Sequence, residues 1–169
     1  MYFANNIHIV ACDTRLLNIE FVYTMQRMKR KFLAGTFHLR IKQSKAGRGL
    51  FTLESIPRGA CIIEYIGRAA TRSQIKENTG KYLFWTTKKT MIDGNIAGNR
   101  ARFINHSCAP NCDIDIRNRR VYVFAKRVIL AGEELTYDYD LEYFNEHILA
   151  RGCVCTKCSK KSVTPTRRL

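Results

Sequence analysis

No apolar run in this sequence approaches the roughly 20 residues that a membrane-spanning helix needs. The first residues, MYFANNIHIVACDTRLLNIEF, lack the basic start, apolar block and small-residue cleavage site of a secretory leader. Together these absences predict a soluble protein that stays on the reducing side of the membrane. Acids are scarce as well. Between Phe21 and Leu53 there are eight Lys or Arg and no acid, and the closing KCSKKSVTPTRRL carries basic charge only. The net charge is +15. Such an excess serves solubility, or it suits a polyanion such as nucleic acid, whose counterions are released on binding. One stretch runs the other way: GEELTYDYDLEYFNE, residues 132–146, holds six of the fourteen acids and no base, and is suited to a cationic ligand.

Cysteine is plentiful by contrast, but not in a disulfide pattern. The seven thiols are Cys12, Cys61, Cys108, Cys112, Cys153, Cys155 and Cys158. An odd number with no export leader argues against a disulfide framework. CVCTKC packs three of them too tightly for independent disulfides and suits a metal. Structural zinc takes four S or N ligands in a tetrahedron, and Cys108 with Cys153, Cys155 and Cys158 makes four. Cys12, Cys61 and Cys112 read as small buried hydrophobes.

The 169 residues suit a single domain with a tail or two. Residues 14–33, TRLLNIEFVYTMQRMKRKFL, are either a mixed helix ending in a basic patch or an extension, with Met25 and Met28 before the first well-punctuated segment. From Phe37 onward short β-like runs alternate with turns. FHLRIKQS alternates; KAGRGLF follows with two glycines; IPRG is a turn; ACIIEYIG and KYLFWTT read as strands. RRVYVFAKRVI alternates after a turn at RN, and ILAGEELTYDY runs from a turn into a last strand. TRSQIKENT and DLEYFNEHIL are the helical candidates. Many short strands and little helix predict a mainly β domain.

The densest chemistry lies in RFINHSCAPNC, residues 102–112. NHS matches a glycosylation acceptor only by coincidence in a chain without a leader. Cys108 and His106 form a candidate thiol nucleophile and base, although such pairs are usually assembled from distant segments. KAGRGLF offers a backbone that can approach a ligand closely, with neither a dinucleotide nor a P-loop spacing. In LTYDYD, Tyr137 and Tyr139 are two apart, so a strand projects both to one face.

In order, KAGRGLF, EYIG, KYLFWTTKKTMIDG, GNRARFINHSCAPNC, AGEELTYDYD and CVCTKC resemble the SET-domain protein lysine methyltransferases, over residues 37–158 and most closely the compact stand-alone members, microbial ones included. The resemblance implies short antiparallel sheets around a knot-like core, few short helices, and a rare threaded crossing of the RFINHSC and ELTYDY segments. It implies an N-terminal extension (1–35), a SET domain (36–142), and a zinc segment with a basic tail (143–169). S-adenosylmethionine would be held by Lys45, Ala46, Gly47, Arg48, Gly49 and Leu50, with Tyr82, Arg102, Phe103, Asn105 and His106. Tyr65, Phe84, Tyr137 and Tyr139 would line the lysine channel, with Tyr139, Tyr137 and Tyr65 the catalytic set.

Tyr137 stands where the family limits the number of methyls, predicting a mono- or dimethyl product. Asn105 and His106 are expected to fix the cofactor and the crossing, ahead of a role for His106 as base. Asp93, Glu64 and Glu134 are read as turn, channel-edge and structural residues. The implied substrate is a lysine-containing protein such as a histone tail, with DNA contact through the basic arms and no membrane. The implied location is intracellular: chromatin for a eukaryotic or viral chain, the cytoplasm or a host nucleus for a bacterial one. The rival class is a non-catalytic, zinc-containing module that binds chromatin or nucleic acid. One departure from the family stands out: Cys155 and Cys158 are separated by two residues, where the family usually has about four, and SKKSVTPTRRL replaces its closing aromatic segment.

Overall fold

The computed structural model describes residues 31–75, 82–139 and 141–161. The readings of residues 14–30, of Cys12, of the second half of TRSQIKENT and of the basic tail fall outside these.

Among the described residues, ten short strands form four small sheets. β1 (Leu39–Ser44) and β2 (Gly47–Thr52) make an antiparallel hairpin through a two-residue turn at Lys45 and Ala46. β1 does not bury the alternate face that its pattern suggests; four of its six residues are exposed. Among the described residues its only strand partner is β2, and it is β2 that carries Leu50 and Thr52 into the core.

β3 (Cys61–Tyr65), β9 (Arg120–Ala125) and β8 (Cys112–Arg117) form an antiparallel sheet with β9 in the centre. Alternation in β9 survives, but both of its faces are covered. Val121, Val123 and Ala125 point into the main core, while Tyr122 and Phe124 pack with Cys61 on the other face. The Phe32 ring closes that second face, 5.2 Å from Tyr122 and 5.5 Å from Phe124. β8 and β9 turn through Asn118 (φ 52°) and Arg119 (φ 61°), the two left-handed residues of a tight hairpin, one position later than RN suggested.

A third sheet, in the order β4 (Arg68–Thr71), β6 (Thr90–Asp93), β5 (Leu83–Trp85), contains the KYLFWTT strand. Of TRSQIKENT, a single 3₁₀ turn, Arg72–Ile75, is described. Short 3₁₀, α and π turns cover residues 141–151, where a helix was expected, and a helix spans Thr156–Lys161. Cys61 and Cys112 are buried as expected.

The fourth sheet decides the architecture. β7 (Asn105–His106) pairs in parallel with β10 (Thr136–Tyr137). Just before β10 the same segment is bonded to β2: Thr52 N–H donates to Glu133 O (3.1 Å) and Leu135 N–H to Leu50 O (2.8 Å). Residues 133–137 are thus threaded between the hairpin and the RFINHSC segment. The amide of Asn111, 3 % exposed, acts as a staple within this crossing. Its Nδ2 donates to Glu134 O (2.8 Å), and its Oδ1 accepts from Thr136 N (2.9 Å). Most buried amides are satisfied in this way.

The turn feeding the threaded segment is closed by an ion pair. Arg127 donates through Nη1 (2.9 Å) and Nη2 (2.6 Å) to Glu133, which also accepts Leu130 N–H at 2.7 Å. The Arg127 hydrogen bonds, helped by Leu130 N–H, hold the Glu133 carboxyl below its usual range against an opposing effect of burial. A depressed carboxylate stabilises the fold above its unfolded pKa, and the contribution fades as pH falls through the folded value. Glu133→Gln is expected to cost about 0.5–1 kcal/mol at neutral pH, in line with a partly exposed pair. In urea titrations the gap from wild type should close below about pH 4; a pH-independent gap would show that the charge is not its source.

Candidate active site

The crossing brings two ring clusters together. In the first, Tyr65 lies 5.4 Å from Phe84, Phe84 6.2 Å from Tyr137, and Tyr137 4.8 Å from Tyr139, centroid to centroid. These are the four expected channel residues, drawn from β3, β5 and the end of the threaded segment. Tyr143 continues the run, edge-on to Tyr139 at 5.2 Å. In the second cluster the Arg48 and Arg102 guanidiniums stand 4.5 and 4.9 Å from the Phe103 ring centre, and Arg102 is also 5.2 Å from that of Tyr82.

Hydrogen bonds join the clusters. Tyr65 Oη donates to Tyr82 O (2.7 Å), whose residue adopts a left-handed backbone, φ 65°. Tyr139 Oη donates to Ile104 O (2.9 Å). Burial pushes the phenols of both Tyr65 and Tyr139 well above their usual range, so both stay protonated at any physiological pH. Asn105 Nδ2 donates to Arg48 O (3.1 Å) and Glu134 Oε1 (2.7 Å), and Ser44 Oγ donates to Glu134 Oε2 (2.8 Å). One carboxylate therefore ties the hairpin to β7, in keeping with the structural role expected of Glu134. Asp93 accepts Asn95 N–H in a turn (2.9 Å), and Glu64 receives a forked contact from Arg120.

Gly49 is needed by this arrangement, because a Cβ there would overlap the Glu134 carboxylate and press on Ser44 Cβ. Gly49→Ala should lower stability by about 1–3 kcal/mol through overpacking. It should also loosen Asn105, readable as weakened binding of a site ligand; an unchanged melting temperature would contradict the packing argument.

Leu50 departs from expectation: its side chain is wholly in the core and its carbonyl is taken by Leu135. Lys45 and Ala46 are exposed at the hairpin tip, and Lys45 Nζ reaches Ser159 Oγ at 3.4 Å. His106 has a side chain only 5 % exposed. Its Nδ1 accepts Tyr139 N–H (3.2 Å), its Nε2 is 3.2 Å from Cys108 Sγ, and burial lowers its pKa against the pull of Asp138.

The four cysteines meet. Their Sγ atoms all lie within 4.8 Å of one another, with Cys108 at 3.8 Å from Cys153 and 3.6 Å from Cys158. Zn–S bonds of about 2.3 Å put the sulfurs of a tetrahedron about 3.8 Å apart, so the cluster has the size and chemistry of a structural zinc site. Gly152 (φ 76°) turns the chain out of the preceding helical turns and into Cys153. The short Cys155–Cys158 spacing is met by the helix Thr156–Lys161, which starts with Ser159 N–H on Cys155 O (2.9 Å) and brings residues three apart onto one side. Burial pushes the Cys108 thiol up to about 12. At Cys155 burial acts the same way but is outweighed by backbone N–H groups of Cys108 and Cys158, and the thiol falls to about 6. A dication would favour the thiolate form of both. Cys108 thus sits within a four-thiol cluster that could hold a metal ion.

Several site residues were not singled out from the sequence. Asn99, fully buried, donates to Gly94 O (3.1 Å) beneath the Tyr65 hydroxyl. The Ile104 carbonyl, the Asn111 staple, Tyr143 and Phe144 complete the surroundings. EYF beside YDY was a visible aromatic signal; buried amides carry none. Among the described residues, Asn99 Oδ1 and Arg102 Nε are buried with no partner.

Fold and site define a class: a small β domain in which two distant segments cross to set a phenol against a backbone carbonyl at the end of an aromatic run. The profile of the SET domain matches residues 47–140, and the chain belongs to that family. It is 36 % identical over 148 residues to the histone-lysine N-methyltransferase trr of Drosophila melanogaster, covering 80 % of this chain and 6 % of that protein. It is 40 % identical over 121 residues to the H3 lysine-4 specific histone-lysine N-methyltransferase of Schizosaccharomyces pombe, 63 % of this chain and 13 % of that one. The chain thus spans a small part of the curated relatives it matches. Among solved structures, KRYPTONITE in complex with mCHH DNA, an H3(1-15) peptide and SAH superposes with TM-score 0.54 at 36 % identity, over 62 % of this chain and 24 % of that one. The methyltransferase domain of human SETMAR gives 0.55 at 32 %, over 65 % and 47 %.

Proposed function

We propose that this domain is a protein-lysine methyltransferase that uses S-adenosylmethionine, with a histone tail as the substrate class and chromatin as its place of action. The observation that carries this is the crossing: Tyr139 Oη sits on Ile104 O beside Asn105, at the end of the run Tyr65–Phe84–Tyr137. The relatives' names and a neighbour bound to SAH and an H3 peptide point the same way. The acidic residues 133–146 suit a Lys-rich peptide.

The donor, when bound, supplies a methyl already activated on a sulfonium sulfur; the carbon passes to the amine lone pair and the C–S electron pair stays on sulfur. The second cluster suits such a molecule, because Arg102 Nε, buried and unpaired, calls for an acceptor that an amino-acid carboxylate provides. Asn105 and the backbone at Arg48 and Gly49 would hold the rest. The aromatic passage must deliver a neutral amine. Desolvation can lower a buried amine's pKa by up to about 3–5 units, whereas cation–π attraction favours the ammonium by only about 0.5–2 kcal/mol. Desolvation wins, and the proton leaves toward solvent. With its own proton on Ile104 O, Tyr139 offers oxygen lone pairs to orient the amine and the methyl, so its part is alignment and not proton abstraction.

Tyr137, beside Tyr139, is the residue placed to limit product multiplicity through a hydrogen bond to the amine or a water. Wild type should yield mono- or dimethyl-lysine and Tyr137→Phe should shift the product by one methyl, read by mass spectrometry; efficient trimethylation by wild type would refute this. We divide the chain as an extension (1–35), the catalytic domain (36–142) and the cysteine segment with its tail (143–169), the basic arms being the candidate DNA contacts. Radiolabelled transfer to nucleosomes, free histones and whole lysate tests the whole reading. Absent labelling together with absent donor binding would favour the non-catalytic module.

A further inference from the structure

Both ring nitrogens of His106 are engaged, and their roles follow from donor chemistry. A backbone N–H can only donate, so Nδ1, 3.2 Å from Tyr139 N, is the acceptor. In a neutral imidazole the proton then resides on Nε2, which lies 3.2 Å from Cys108 Sγ. The geometry points to His106 as a positioning residue that donates Nε2–H to the Cys108 sulfur of the four-thiol centre while holding the main chain of Tyr139. One ring thereby registers the metal centre against the phenol proposed to align the methyl transfer, and the inference rests on that reading and on zinc at the cysteines.

The surroundings suit a link better than a base or a packing residue. The ring is 5 % exposed and wedged between Tyr139 (5.4 Å) and Phe144 (5.1 Å), so neither nitrogen is turned to open solvent. Asp138 Oδ1 stands 3.4 Å from Nδ1 on a side chain that is 67 % exposed, farther than the Tyr139 nitrogen. Ile104, two residues earlier, binds the hydroxyl end of the same residue: Tyr139 is held at its backbone N–H by the His106 ring and at its hydroxyl by Ile104 O. Packing alone would be met by phenylalanine. A histidine is required only if both nitrogens have work. An N–H donor to a metal thiolate spreads its charge, and losing such an outer partner typically weakens metal binding about 10- to 100-fold.

The first measurement uses the unaltered protein loaded with ¹¹³Cd. Its ¹⁵N spectrum should show the Nε2–H tautomer of His106, with scalar coupling between cadmium and that proton across the sulfur. An Nδ1–H tautomer, or a proton with no coupling, would overturn the link. The second uses His106→Phe. Chelator competition should show zinc held about 10- to 100-fold less tightly, and the sulfur-to-metal charge-transfer band of the Co²⁺ form should shift, with kcat reduced. Unchanged metal affinity and an unchanged band would sink the inference even if activity fell. If the variant does not fold, the spectrum of the unaltered protein decides. Intact metal readouts in a protein that never transfers methyl would keep the link and fail the methyltransferase reading alone.

Discussion

Tyr139→Phe is expected to bind methyl donor nearly as well as wild type and to lose roughly 10²- to 10³-fold in turnover, the scale seen when one well-placed hydrogen-bonding group is removed from a reacting centre. The change deletes one oxygen, so the ring keeps its contacts with His106, Tyr137 and Tyr143. What disappears is the oxygen that Ile104 O holds at a fixed point, together with a bond whose loss costs about 1 kcal/mol of stability. Turnover should therefore fall far more than the melting temperature. Isothermal titration with donor and initial rates on the best substrate separate the two. Full activity would remove Tyr139 from the mechanism; lost donor binding would make it a structural residue.

Removing the metal should have the second-largest effect. The helix Thr156–Lys161 is six residues long, well below the length at which a helix persists alone. Apart from the cysteines, its side chains are tied down by Lys157 Nζ on Cys108 O (3.3 Å) and by Ser159 Oγ, near Lys45 (3.4 Å) and Cys155 O (3.0 Å). These few contacts hold little, whereas a structural zinc contributes on the order of 10 kcal/mol. Chelation should therefore free the segment after Gly152, seen as rapid amide exchange and a new protease cut, with zinc restoring both. It should leave the β3–β9–β8 core folded, because none of its strands carries a ligand. One zinc per chain is the expected stoichiometry. A pure, ordered and active protein without it would show that the tail is held in another way.

The candidate site was unevenly legible before the fold was known. RFINHSC and GEELTYDY are local strings, and their residues arrive at the site together because each string is a continuous segment. The same holds for three of the four thiols. The cysteine spacing that departs from the family's pattern is resolved by a helix start, which sequence periodicity over six residues does not reveal. Leu50 was misplaced because a resemblance assigns a residue to a loop without saying which way its side chain turns. Asn99, Asn111 and the Ile104 carbonyl left no trace, since a buried polar group is recognised only by the partners that topology brings to it.

The β1 and β9 patterns show the same division. Alternating residues fixed the strand type in both, yet β1 remains largely exposed and β9 is covered on both faces, because what lies over a strand is set by segments far away in the chain. By itself, the sequence determined the mainly β class, the family and the inventory of chemistry: phenols, a histidine, an asparagine and four thiols. Only the tertiary structure decided that Tyr139 meets Ile104 and His106 and that Cys108 meets CVCTKC. These meetings join residues 33 to 50 positions apart, and a contact at that distance is set by how distant segments cross and pack, not by any local preference of the chain.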